Sequence, residues 1–153
     1  MPFSIAISLH VLAATVWVGG MFFAYIALRP VAAQVLEPPL RLTLWAQVFK
    51  RFFPWVWMAV LLLLATGLWL SFIEFGGITQ LGIHVYIMMI LGVIMMLIFA
   101  HVYYGPYKRL VEATTIEDWP AGAATLNQIR QLIKINLILG LFVVVIAAGG
   151  RYL

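Results

Sequence analysis

Four stretches of this sequence are long and apolar enough to cross a membrane, and no other feature limits the fold as much. They cover residues 3–28, 52–73, 81–104 and 132–148. About 20 apolar residues span the hydrocarbon core as a helix. The first three stretches contain no charged residue, and inside lipid every backbone N–H and C=O must be satisfied within its own segment. Helices follow. The composition agrees: 65% of the residues are hydrophobic and 9% are charged, against about 25% charged in a soluble domain. The expected fold class is an all-α membrane protein. Its four transmembrane helices form an up-down-up-down bundle, a single domain of 153 residues embedded in a lipid bilayer.

Charge placement predicts orientation. Arg29, Arg41, Lys50 and Arg51 fall between the first and second stretches, and Lys108, Arg109, Arg130 and Lys134 between the third and fourth or just inside the fourth. Arg151 alone lies on the other side. The positive-inside rule then puts both termini outside, periplasmic for a bacterial inner membrane. It also accounts for the net charge of +4 without a nucleic-acid partner. The N-terminus has no basic region before its apolar run, so it reads as a retained helix rather than a signal peptide.

The two basic connections carry amphipathic patterns. Pro38-Pro39 opens a segment with Leu40, Leu44, Trp45, Val48 and Phe49 on one helical face. This reads as an interfacial helix feeding the second span, with Pro54 as a kink or restart. Trp45, Trp55 and Trp57 sit where an aromatic belt is expected. Beyond Pro120, Leu126, Ile129 and Ile133 mark one face of a second short helix.

The chain has no cysteine, which leaves histidine and methionine as its soft donors. All three histidines lie in or at the edge of the membrane, where polar side chains are costly and usually face the bundle interior. His10 is in the outer part of the first span, His84 near the outer end of the third and His101 near its inner end. His84 and His101 are about 25 Å apart along a helix, so His10 and His84 are the pair able to face one ligand. Diagonal helices lie roughly 14 Å apart when neighbours are about 10 Å apart, a gap that suits a porphyrin held by one imidazole from each side. Trp17 and Met21 share the face of His10 and would line the cavity below it, while Gly19 and Gly20 allow a close neighbour. For His101, a structural hydrogen bond, with Asn136 at similar depth as partner, stands beside ligation.

Methionine supplies a second pattern. Met88 and Met95 share a face with His84 on the third span. Thioether and imidazole together suit copper(I), although methionine is also an ordinary core filler. No paired carboxylates lie inside the membrane, and there is no Ser-His-Asp order and no phosphate loop.

The pattern Leu9-His10 followed by Trp17-Val18-Gly19-Gly20-Met21-Phe22-Phe23 resembles the opening of the copper-resistance D (CopD) family and of the related HemJ-type protoporphyrinogen oxidases. Thr66-Gly67-Leu68-Trp69-Leu70 and His101-Val102-Tyr103-Tyr104-Gly105 resemble their matching regions. The resemblance implies a four-helix membrane core. From the HemJ side it implies b-type haem, with His10 and His101 matching the family pattern, and from the CopD side it implies copper homeostasis. Where HemJ proteins carry a third-helix lysine, this sequence has Ile90.

Three functional expectations result. The first is a haem b protein with His10 and His84 as axial ligands, in electron transfer or small-molecule oxidation with a redox partner or quinone-like molecule. The second is a copper-binding or copper-transporting protein using His10, His84, Met88 and Met95. The third is a non-catalytic subunit of a larger membrane complex or homo-oligomer.

Overall fold

The computed structural model describes residues 2–74 and 76–150; Arg151, used above for orientation, lies outside them. The chain is helical nearly throughout. Its elements are α1 (Phe3–Val35), α2 (Pro38–Glu74), a 3-10 turn (Ile78–Gln80), α3 (Ile83–Tyr104), α4 (Pro106–Thr115) and α5 (Trp119–Gly149). Four helical stretches are long and apolar enough to cross a membrane, so the all-α membrane bundle expected from hydropathy is the fold observed.

Each helix buries a narrow stripe and turns the rest of its apolar surface outward, as a lipid-facing bundle must. In α1 the stripe is Ala6, Ala13, Trp17, Val18 and Met21, with His10 between the two alanines on the same face. Residues 23–28 of this helix are π-helical. Pro30 follows directly, and a proline ring collides with the carbonyl four residues back while offering it no N–H, so the backbone widens ahead of it. At 33 residues, α1 is about 50 Å long, well beyond a hydrocarbon core of about 30 Å.

The amphipathic segment after Pro38 runs without a break into the second span. The α-helix continues from Pro38 to Trp69 with Pro54 inside it, so Pro54 does not restart the helix. Lys50 and Pro54 are both exposed, which leaves the unpaired carbonyl of residue 50 on the outer side of the helix. The buried face is Leu42, Trp45, Ala46, Phe49, Phe53 and Val56. Trp45 therefore belongs to the core rather than to an aromatic belt, whereas Trp55 is exposed. Trp45, Phe49 and Phe53 stack in series at 5.4 and 5.0 Å between ring centroids, and Phe53 meets Phe99 edge-on at 5.4 Å and Tyr107 at 4.9 Å. Such pairs contribute about 0.5–1.5 kcal/mol each beyond their burial, and they join α2 to α3 and α4.

The second connection contains an amphipathic helix, α4, whose Leu110 and Ala113 are buried. It packs on the first half of α5, where Ile129 is fully buried. The short helix expected after Pro120 is the start of α5 and is continuous with the fourth span. The Asp118 side chain accepts from the Ala121 amide at 3.1 Å and caps that start. Around the bundle α1 lies along α2, α3 along α5, and α1 also touches α5. Gly140 makes the last approach possible, since a Cβ there would sit 2.9 Å from Val18 Cγ2 and 3.1 Å from Met95 Cε.

Candidate functional site

The α1–α2 seam holds the best-defined polar pair in the membrane. Small residues on both sides of His10 let α2 come close, and the ring lies against Gly67, whose missing Cβ would be 3.4 Å from His10 Cε1. His10 Nδ1 is 2.8 Å from Thr66 Oγ1. Thr66 is buried, and its hydroxyl donates to the Leu62 carbonyl at 2.5 Å. A threonine hydroxyl has one proton. If that proton goes to Leu62, Thr66 accepts from His10 Nδ1 and Nε2 keeps its lone pair; with either tautomer the bond fixes the ring and leaves Nε2 outside it. Metal-binding histidines use this arrangement, donating one ring N–H to a fixed acceptor that orients the other nitrogen.

Thr66 is the residue that sequence reasoning missed as a partner. A signal was present, since Thr66 and Ser71 are the two hydroxyl residues of the otherwise apolar second span, and Ser71 donates to the Gly67 carbonyl at 2.8 Å. Counting from the helix ends, His10 and Thr66 lie at similar depths, about 10–12 Å into α1 and α2.

His84 occupies the same end of the bundle but sits in the first turn of α3, only about 2 Å from its start. Its ring packs over Gly82, and its Cβ lies against Gly150 just past the end of α5. His10 thus turns toward α2 and His84 toward its own loop and α5. Among the described residues no group of three or more His, Cys, Asp or Glu side chains is placed to hold a metal. Met88 is half-buried on α3, and Met95 is 3% exposed with its methyl at Gly140. His101 is exposed at the other end of α3. Asn136 is not its partner: that side chain is 3% exposed, and its Oδ1 has no hydrogen-bond partner among the described residues.

Trp17 and Met21 are buried on the face of His10, as their spacing predicts, and they line a cavity of about 280 Å³ with Phe53, Phe99 and Asn136. No histidine lines it. Trp17 closes the bundle centre by meeting Phe99 at 6.1 Å. A macrocycle between His10 and His84, with this cavity beneath it, is therefore not supported by the arrangement. What the residues present is an oriented imidazole in the α1–α2 seam, and thioether side chains separately on the third span.

A family model described as Copper resistance protein D matches residues 46–149, which comprise most of α2 and all of α3, α4 and α5. No curated protein and no solved structure matches the chain. The match includes Thr66, His84, Met88, Met95 and His101 and begins after His10. It favours copper over haem b, and neither haem binding, electron transfer nor the HemJ likeness gains support from it.

Proposed function

The chain belongs to the copper resistance protein D family, and from that premise we propose that it handles copper(I) within the membrane, with His10 as the principal ligand. The observation that carries this reading is the 2.8 Å hydrogen bond between His10 Nδ1 and Thr66 Oγ1, which holds the ring and leaves Nε2 as the nitrogen outside that bond. His84, Met88 and Met95 supply imidazole and thioether donors along α3, and donors of this softness suit Cu(I) and disfavour hard cations. Copper is cargo here, not a resident cofactor. The four-helix unit is one domain, and its basic connections lie on the cytoplasmic side, so His10 and His84 take copper at the outer end.

Metal retention tests the proposal. Protein purified from copper-supplemented cells is expected to hold copper in a fixed ratio near one per chain, with little zinc or iron. His10→Ala should lower that ratio at least about tenfold, and the Met88→Leu/Met95→Leu pair should lower it less. Wild-type protein that retains no more copper than His10→Ala overturns the reading.

A further inference from the structure

At the basic end of the bundle a second cavity, about 530 Å³, lies between the ends of α1, α2 and α5. Arg29, Arg41 and Arg130, one from each helix, line it. No carboxylate is among its lining residues, and its remaining wall is largely apolar, with Ile26, Trp45, Leu126 and Ile133.

These three arginines differ from the other basic side chains among the described residues. Each is half-buried, whereas Lys50, Arg51, Lys108, Arg109 and Lys134 are exposed. Topology alone requires basic residues on one side of the membrane and does not require them to converge on a cavity. Each guanidinium also has a neutral partner that holds it. Arg29 lies over the Tyr25 ring at 4.8 Å. Arg41 Nη1 points to the Ala33 carbonyl at 3.5 Å. Arg130 donates to Asn127 Oδ1. A guanidinium has five N–H donors, so several remain free on each. Planar forks of this kind bind phosphate through paired hydrogen bonds.

We propose that this cavity binds the phosphodiester headgroup of an anionic phospholipid, with an acyl chain against the apolar wall. Charge complementarity selects the anion, and the apolar wall at the membrane surface selects a lipid over a free ion. The lipid bridges α1, α2 and α5 at an end where the helices extend beyond the hydrocarbon core. The proposal does not depend on copper handling.

Native mass spectrometry of the purified full chain tests it, with phosphatidylglycerol, phosphatidylcholine or inorganic phosphate added separately. Wild type is expected to retain one phosphatidylglycerol per chain, phosphatidylcholine far more weakly, and phosphate not at all. Arg130→Gln should weaken phosphatidylglycerol binding about fivefold, and Arg29→Gln/Arg41→Gln/Arg130→Gln about 100-fold. Lys50→Gln/Arg51→Gln/Lys108→Gln removes the same charge from exposed positions and should leave binding within about twofold. Equal loss in both triple variants overturns the proposal, as does equal retention of the two lipids or phosphate binding as tight as the lipid. If the pocket triple variant does not fold, Arg130→Gln compared with Lys50→Gln decides on the same criterion.

Discussion

A single hydrogen bond, between His10 and Thr66, orients the imidazole on which copper(I) binding is proposed to rest. Thr66→Val should release the ring and weaken Cu(I) affinity about 10–100-fold, while Thr66→Ser should stay near wild type. A competition titration with a chromogenic Cu(I) chelator reads both. Side chains of this kind are unequally legible in the sequence. His10 stood out because an imidazole inside an apolar span demands a reason, and its shared face with Trp17 and Met21 followed from helical periodicity. Its partner did not, because register between two helices is set by packing that no single-chain pattern encodes. Asn136 is a separate case, since its buried Oδ1 has no hydrogen-bond partner among the described residues. An unsatisfied buried acceptor costs about 1–3 kcal/mol. Asn136→Leu should therefore raise the thermal midpoint in a fixed detergent by a few degrees, and a comparable fall would mean that the oxygen is engaged by a bound molecule.

Among the helices, the spans were readable and their ends were not. Hydropathy located four crossings because lipid leaves a helix no alternative for its backbone groups. It gave no sign that the amphipathic run after Pro38 would continue through Pro54, because proline is normally a break. The continuous buried row from Leu42 through Trp45, Phe49 and Phe53 to Val56 holds that helix together across the defect. Trp45 was misplaced for the same reason: a tryptophan at membrane-edge depth reads as a belt residue until the neighbouring helices cover it. The α1–α5 contact depends on Gly140. Gly140→Ala would push a methyl group against Val18 and Met95, at a cost of about 1–3 kcal/mol. Its thermal midpoint should fall, and Val18→Ala in the same chain should recover part of the loss, because the two positions share one contact. Additive losses would contradict that packing.

For the molecule as a whole, the bundle separates two ends with different chemistry. One carries His10 and His84, with Met88 one turn further along α3, and the other gathers three half-buried arginines around a cavity. The haem expectation arose from depth alone, since His10 and His84 do share an end. It loses support because depth says nothing about azimuth: one ring faces α2, and the other packs against Gly82 and the end of α5. The copper expectation gains from the family match and from the hydrogen bond by which Thr66 orients His10. X-ray absorption at the copper edge of the Cu(I)-loaded protein tests that claim most directly. The account predicts a mixed shell of nitrogen and sulfur neighbours in wild type, with a smaller nitrogen contribution in His10→Ala. A wild-type spectrum without a nitrogen neighbour, or one unchanged by His10→Ala, would contradict it.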